Sequence, residues 1–286
     1  MPPTPADVPF VRRLRREESL VAAEFRPPRR DGVDRDSLSE WIDLHHAMHR
    51  LQRSETPVFL TDNAVGEEEE ENLLHLTANL AGDTDPSLMA PFLTCKHSLD
   101  YCLGYADRAF SAGVQALVVL GGDRSAGPPR CVEHAYLLRR RIRARTPGLA
   151  LGGWANPHRD PARQAGFLAD EEATAEFYLT QVVSHHDLDR VDAFLREVRR
   201  RGVSMPGVFG VFFYRSPNPD TLERLADFFP VPAGELTREF ERGDAPEEIC
   251  ARSIRRLREA GVRHVYVSNL GSERAAERLE AVLDAV

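Results

Sequence analysis

The sequence is poor in lysine, in cysteine and in long apolar runs, and each shortage excludes a class of protein. Lys96 is the single lysine among 37 basic residues, as expected of a GC-rich genome that favours arginine codons. The four cysteines include no CxxC pair, which disfavours a disulfide framework and a cysteine zinc site. No apolar run approaches the roughly 18 residues that cross a bilayer, and the first residues lack the pattern of a signal peptide. We therefore expect a cytoplasmic protein with no membrane partner.

Acidic residues outnumber basic ones, 45 to 37, so the formal net charge is −8. Such a chain has no broad basic face, and a nucleic-acid partner is not expected. The apolar fraction of 42% and the charged fraction of 29% are typical of an ordinary globular protein. A length of 286 residues allows two average domains or one barrel.

Short apolar runs alternate with amphipathic stretches after the first 19 residues, which have several arginines and are predicted to be a solvated leader. The runs lack strict alternation, as in strands that are buried on both faces. Strands are predicted at residues 20–25, 57–62, 90–95, 116–121, 149–154, 177–182, 205–211 and 262–268. Helices are predicted at residues 36–52, 69–80, 99–112, 132–144, 161–174, 187–201, 219–228, 246–260 and 273–286. Ser98 and Asp187 are predicted to cap the helices that they begin.

A glycine separates a helix from the next strand at Gly113, Gly202 and Gly261, where the left-handed conformation ends a helix at low cost. Eight strands, each followed by a helix, predict an α/β fold: a single (β/α)8 TIM barrel over residues 20–286 with a short N-terminal extension over residues 1–19. A doubly wound sheet is the rival fold. It usually carries a Gly-rich turn after the first strand, where this chain has Glu24 and two prolines.

Chemistry in such a barrel takes place at the C-terminal ends of the strands. The polar or aromatic residues predicted there are Glu24, Thr61, Asp62, Thr94, Cys95, Lys96, Asp123, Trp154, Asn156, His158, Thr180, Gln181, Tyr214, Arg215, Ser268 and Asn269. His185 and His186 have no carboxylate at a metal-binding spacing. We predict a surface pair at the start of a helix, and no metal site.

Six segments resemble, in order, motifs of the methylenetetrahydrofolate reductases. Residues 23–29 (AEFRPPR) are similar to that family's E-F-x-P-P-R/K, and residues 92–95 (FLTC) to its H-L-T-C. The others are 120–123 (LGGD) for L-R-G-D, 179–181 (LTQ) for I-T-Q, 206–208 (PGV) for P-G-I and 264–269 (HVYVSN) for H-F-Y-T-L-N. The resemblance runs through the whole predicted barrel and implies a (βα)8 reductase.

The resemblance implies reduction of 5,10-methylene-tetrahydrofolate to 5-methyl-tetrahydrofolate, with FAD as the flavin and NAD(P)H as the nicotinamide nucleotide. Glu24 would be the general acid that protonates a folate ring nitrogen and opens the five-membered ring to an iminium ion. Asp123 would hydrogen-bond the pterin, or restrain negative charge on reduced flavin. The residues alone leave open a Glu24 paired with Arg26 or Arg29, and an Asp123 that merely caps a loop.

Gln181 and Tyr214 are the other predicted folate contacts. Gln181 can present a donor and an acceptor to a pterin. The cofactor contacts predicted besides Asp123 are Thr61, Gly122, Trp154 and His158. Trp154 can stack on a ring system, although an aromatic side chain that caps the barrel is an equal alternative.

Three departures from the family motifs concern the flavin site. Phe92 replaces a histidine, Gly121 replaces an arginine, and Asp170 falls where alignment back from Gln181 places a basic pair for the diphosphate. An aspartate repels a diphosphate. One alternative is a flavin bound through other arginines, namely Arg29, Arg124 and Arg159. The other is direct hydride transfer from NAD(P)H to the folate.

Two further functions stay open on the sequence. One is a folate-binding or partner-dependent barrel without reductase activity of its own, which the altered flavin contacts favour. The other is a lyase or aldolase that uses Lys96 to form a Schiff base. A homo-oligomer also stays open, since symmetric dimers are the commonest default.

Overall fold

The computed structural model describes residues 4–16, 19–28, 34–62, 84–123 and 127–286. Eight parallel strands pair in chain order, and the last pairs with the first to close a barrel. They are β1 Val21–Phe25, β2 Val58–Leu60, β3 Met89–Thr94, β4 Ala116–Leu120, β5 Ala150–Ala155, β6 Phe177–Val182, β7 Gly207–Phe212 and β8 His264–Ser268. The predicted (β/α)8 TIM barrel is confirmed, and all eight predicted strands overlap observed ones.

Ten α-helices lie within the described residues. They are α1 Pro9–Arg15, α2 Asp34–Arg53, α3 Leu99–Ser111, α4 Ala135–Arg145, α5 Pro161–Ala169, α6 Leu188–Arg200, α7 Pro219–Ala226, α8 Ala233–Glu241, α9 Pro246–Glu259 and α10 Ala275–Asp284. The helix predicted at 69–80 lies outside the described residues. The structure adds α8, and it ends the helix predicted at 161–174 early, at Ala169. Asp170 is extended there and begins a separate 3-10 turn, Glu171–Ala173. No helix in the described parts of the chain is both long and apolar enough to span a bilayer.

The helix ends follow the sequence signals with one exception. Gly113, Gly202 and Gly261 have φ angles of 90°, 67° and 98°, as predicted for helix-ending glycines. Ser98 accepts a hydrogen bond from the Tyr101 amide, so its predicted capping role is confirmed. Asp187 begins α6 as predicted, and its carbonyl accepts from the Val191 amide. Its carboxylate makes no capping bond to α6 and instead accepts from Ser184 in the preceding loop.

Side-chain alternation divides the apolar core into two layers. Ala22 packs with Phe59 and Tyr266 inside the barrel, whereas Ala23 and Phe25 pack outward against helix residues such as Trp41. Successive side chains of a strand point to opposite faces. Glu24 therefore points to the interior, at the C-terminal end of β1.

The N-terminal end of the barrel is closed by α1. The Phe10 ring is 1% exposed and meets the rings of Phe59 and Phe177 edge-on, with centroid distances of 5.9 and 5.2 Å. Val11 and Leu14 are equally buried. The prediction of a solvated leader is therefore wrong for this helix, because its apolar face completes the core while the arginines face outward.

Candidate functional site

Polar side chains collect at the C-terminal mouth of the barrel. Thr61, Gln181 and Ser268 each stand two positions beyond the interior residues Phe59, Leu179 and Tyr266. Thr61 and Ser268 therefore point the same way as those residues. The register of β6 shifts between Leu179 and Val182, so alternation does not place Gln181. Thr61 and Ser268, together with Glu24 and Trp154, give the mouth a polar and aromatic lining above an apolar interior. The sequence predicts three of these four side chains as site residues.

Glu24 is half-buried, and its position is fixed by the neighbouring strand. The Ser268 hydroxyl donates a hydrogen bond of 2.6 Å to Glu24 Oε1. The register that pairs Ala23 with Val267 brings the two side chains together. A hydrogen bond of this length between a hydroxyl and a carboxyl oxygen is short and well formed. Sequence reasoning noted Ser268 as a strand end but gave it no role, because the pairing of β1 with β8 only appears in the folded barrel.

Tyr266 lies one layer below Glu24, fully buried, and donates a hydrogen bond of 2.7 Å to the Thr180 carbonyl. Burial, aided by the negative charge of Glu24, raises the pKa of Tyr266 well above 10. The phenol therefore stays neutral, and its buried ring lies below the Glu24 side chain. A Cβ at Gly210 would lie 2.6 Å from the Tyr266 hydroxyl oxygen, so this position needs glycine.

Asp123 follows β4 and is exposed at the same mouth, with β2 and β3 between its strand and that of Glu24. The turn before it is tightly built. Gly122 has a φ of 72°, and a Cβ there would lie 2.7 Å from the Lys96 side chain. The catalytic and binding roles of Asp123, and the cofactor role of Gly122, stay predictions.

Gly121, which stands where the resemblance has an arginine, is next to a different arginine. A Cβ at Gly121 would lie 2.7 Å from the guanidinium carbon of Arg130, and Arg130 donates to the Gly122 carbonyl. The loop after β4 therefore places a guanidinium beside position 121, and this group belongs to a residue nine positions further along the chain. Lys96 is 6% exposed and donates to the Pro128 carbonyl at 3.0 Å.

Gln181 uses its amide within the protein. Oε1 accepts from the Val182 amide at 2.9 Å, and Nε2 donates to the Phe228 carbonyl at 3.4 Å. These bonds orient the side chain and tie β6 to the segment after α7. Its predicted role in substrate binding stays a prediction.

The other predicted cofactor contacts differ in accessibility. Trp154 is half-buried and packs on the barrel interior. Thr61 is half-buried, and its amide donates to the Phe25 carbonyl. The His158 side chain is 3% exposed, and its Nε2 lies 2.8 Å from the Val182 carbonyl oxygen. His158 thus braces the end of β6 against the loop after β5, and its cofactor role stays a prediction.

Tyr214 lies away from the interior lining, in an apolar cluster with Leu222, Leu236 and Ile249. It is 7% exposed, and burial, with a smaller contribution from Asp187, raises the pKa of its phenol above 10. The ring is packed under α7 and α8, and contact with a folate stays a prediction.

The two remaining departures from the family motifs lie in different places. Phe92 is 4% exposed inside the barrel. Asp170 precedes β6 and caps a turn by accepting from the Glu172 amide at 2.8 Å. A helix of this barrel runs back to the N-terminal ends of the strands, so Asp170 lies at the end opposite the mouth. It does not repel a diphosphate bound there.

The prediction of a surface histidine pair is wrong for His185. Its side chain is 10% exposed, with Nε2 at 2.8 Å from Glu239 Oε1 and Nδ1 at 2.8 Å from Ser253 Oγ. Burial, together with His186, lowers the pKa of His185 despite Glu239. Burial opposes ionisation of Glu239, but hydrogen bonds from His185 and Arg252 hold its pKa below the usual range. No spacing rule finds a carboxylate so far away in sequence.

No known protein-family profile and no curated protein matches the sequence. Three solved structures are similar in fold. An uncharacterised protein from Clostridium thermocellum that binds two copies of 5-methyl-5,6,7,8-tetrahydrofolic acid is 14% identical, with a TM-score of 0.67 over 95% of this chain and 97% of its own. An aldolase, QR15, is 12% identical, with a TM-score of 0.50 over 93% and 96%.

The third similar structure is the carboxyl transferase domain, with the substitution Y628A, of Rhizobium etli pyruvate carboxylase with pyruvate. It is 11% identical, with a TM-score of 0.54 over 93% of this chain and 42% of that one. At these identities the similarity establishes the shared barrel. Barrels of this kind include enzymes of several chemistries, so function must be argued from the site.

Proposed function

We propose that this chain binds a reduced folate at the C-terminal mouth of the barrel and reduces it as a methylenetetrahydrofolate reductase-like enzyme. The observation that carries the proposal is Glu24, a carboxyl group that points into the mouth and is fixed by Ser268 at 2.6 Å. The similar structure that binds 5-methyl-tetrahydrofolate supports the choice of ligand, because it matches nearly all of this chain.

In the proposed reaction, the Glu24 carboxyl group gives its proton to a ring nitrogen of methylene-tetrahydrofolate. The carbon–nitrogen bond at that atom breaks, and the methylene carbon becomes an iminium carbon. Hydride adds to this carbon and forms the methyl group, and a solvent proton restores the acid. General acid catalysis of this kind typically contributes about 10²–10⁴ in rate.

Hydride is proposed to come directly from NAD(P)H. Two changed positions among those that resemble flavin contacts support this choice, whereas Arg29 and Arg124, the alternative flavin ligands, lie outside the described residues. Phe92 offers no hydrogen bond, and both Arg130 beside Gly121 and Lys96 beside Gly122 donate to backbone carbonyls. A purified protein without flavin absorption that still turns over is the expected result. Bound flavin in the active protein would contradict this part of the proposal.

The Phe92 and Gly121 departures also favour a second candidate function, a folate-binding barrel without reductase activity of its own. Isothermal titration with 5-methyl-tetrahydrofolate, followed by an NADH and NADPH oxidation assay with methylene-tetrahydrofolate, separates the two. Binding with nucleotide oxidation supports the reductase. Binding without oxidation of either nucleotide supports the second function, and absence of binding contradicts both.

A further inference from the structure

A cluster of metal-binding side chains lies at the loop after β6, with one buried, one half-buried and one exposed member. His185 and His186 come from this loop and Glu239 from α8. Their donor atoms, one imidazole nitrogen from each histidine and a carboxylate oxygen, lie within 4.8 Å of one another. Two histidines and a glutamate are a ligand set that proteins use for zinc with an open fourth position.

The distances within the cluster suit a single ion. His185 Nε2 lies 2.8 Å from Glu239 Oε1, and His186 Nε2 lies 3.5 Å from Glu239 Oε2. Zinc bonds of about 2.1 Å that meet at a tetrahedral angle place two donor atoms about 3.4 Å apart. Small side-chain movements are therefore enough to admit the ion.

The carboxylate of Glu239 carries an unused acceptor. The Glu239 side chain is 5% exposed, and Oε1 accepts hydrogen bonds from both His185 and Arg252. Oε2, in contrast, has no hydrogen-bond partner among the described residues. A buried carboxylate oxygen without a partner costs free energy, and a cation at this position would remove that cost.

Arg252 lies between the two carboxylates beside the cluster. It donates to Glu239 Oε1 at 2.6 Å and to Asp244 Oδ2 at 2.8 Å, and Arg242 also contacts Asp244 Oδ2, at 3.4 Å. An ion that binds Glu239 through Oε2 leaves the Arg252 contact at Oε1 in place.

The loop that holds the histidines is fixed before any ion binds. Asp187 Oδ2 accepts from the amide and the hydroxyl of Ser184, both at 2.9 Å. The Ser184 hydroxyl oxygen in turn accepts from the His186 amide at 3.2 Å. Ser253 Oγ holds the far nitrogen of the His185 ring, as residues behind metal-bound histidines commonly do.

From this geometry we infer that His185, His186 and Glu239 bind one zinc ion per chain. Zinc takes the place of the proton on His185 Nε2, and the neutral imidazole changes tautomer, with its one proton now on Nδ1. The Ser253 hydroxyl then accepts from Nδ1, because a hydroxyl can serve in either direction. The His186 side chain is 21% exposed, so solvent reaches the cluster at this residue.

The test measures zinc affinity by equilibrium dialysis against a competing chelator, using full-length protein stripped of metal. Wild type should retain one zinc per chain. His186→Asn should bind at least about tenfold more weakly, because even loss of a supporting residue costs that much. The matched control is His134→Asn, since His134 also lies 3.5 Å from a glutamate, Glu133, but has no second histidine in its pair. This control should retain zinc like wild type.

Glu239→Gln is the second variant, and cobalt absorption is the second readout. Wild type loaded with Co²⁺ should show the intense visible bands of a tetrahedral site, and both His186→Asn and Glu239→Gln should lose them. Thermal unfolding of each variant without metal checks that it is folded. If Glu239→Gln does not fold, His186→Asn alone decides the test, because the His186 side chain is partly exposed. No zinc in wild type beyond that in His186→Asn, or an equal loss in His134→Asn, would overturn the inference.

Discussion

The two ends of this barrel are built from the same alternating strands and yet have opposite surfaces. At the N-terminal end α1 inserts Phe10 between Phe59 and Phe177, and the interior is sealed by apolar contacts. At the C-terminal end Glu24, Thr61 and Ser268 follow apolar interior residues and line a polar mouth. The N-terminal end is thus sealed by packing and the C-terminal end presents polar groups, as expected of barrels in which stability and chemistry are divided between the two ends.

The largest stability effect is expected at the sealed end. Phe10→Ala removes a fully buried ring and should lower the free energy of unfolding by about 3–5 kcal/mol. Phe167→Ala is the matched control, because Phe167 is 52% exposed, and its cost should stay below about 1 kcal/mol. Urea denaturation measures both. Equal costs for the two variants would contradict the role of α1 as a seal.

The next effect belongs to the mouth. Ser268→Ala removes the hydrogen bond that fixes the Glu24 carboxyl group, and loss of a hydrogen bond typically costs about 0.5–1.5 kcal/mol. Nucleotide oxidation should therefore fall by about two- to tenfold in kcat, with little change in KM. Ser111→Ala, an exposed serine at the end of α3, should leave kcat unchanged. A change in KM alone would assign Ser268 to substrate binding and not to positioning of the acid.

A pH effect is expected at the sealed end. His264 is 2% exposed, its Nδ1 accepts from the Leu20 amide at 3.2 Å, and its ring donates to the Leu14 carbonyl. Burial, aided by the charge of Arg263, lowers its pKa despite the Leu14 contact. Below about pH 6.5 the unfolded chain takes up a proton that the folded chain resists, so stability should fall by up to about 1.4 kcal/mol per pH unit.

In His264→Gln the free energy of unfolding should fall less steeply as the pH drops below about 6.5. The control His134→Asn replaces an exposed histidine, and it should keep the slope of the wild type. The free energy of unfolding of each protein across that range is the measurement. An unchanged slope in His264→Gln would show that other groups are responsible.

The smallest expected effect is a difference in stability between alanine substitutions at two adjacent glycines of the mouth. Gly122→Ala places a Cβ on a backbone with a φ of 72° and 2.7 Å from Lys96, which should cost about 1–2 kcal/mol. Gly121→Ala meets only the mobile end of Arg130 and should cost less than about 1 kcal/mol. Thermal unfolding ranks the two. The reverse order would contradict the structure of this turn.

The sequence predicts the barrel well because its signals are local. Apolar runs, helix-ending glycines and their spacing lie within single elements, and Gly113, Gly202 and Gly261 behave as expected. The position of Glu24 at the mouth follows from alternation along one strand. By contrast, the sequence of the first helix predicts a solvated segment, because its three arginines conceal a short apolar face that is completed only by β2 and β6.

Contacts between residues far apart in the chain could not be predicted, because the sequence signals are local. Ser268 meets Glu24 through closure of the barrel, and Arg130 approaches Gly121 through a loop. Glu239 lies on a helix that sequence patterns did not predict, so the environment of His185 could not be read from spacing.

The most direct test of a catalytic acid at the mouth is the rate of NAD(P)H oxidation with methylene-tetrahydrofolate in wild type and in Glu24→Gln. Glu235→Gln is the control, because Glu235 is an exposed glutamate on α8. We predict that Glu24→Gln still binds 5-methyl-tetrahydrofolate but loses about 10²–10⁴ of the rate, while Glu235→Gln keeps it. A Glu24→Gln protein as fast as wild type would contradict the account.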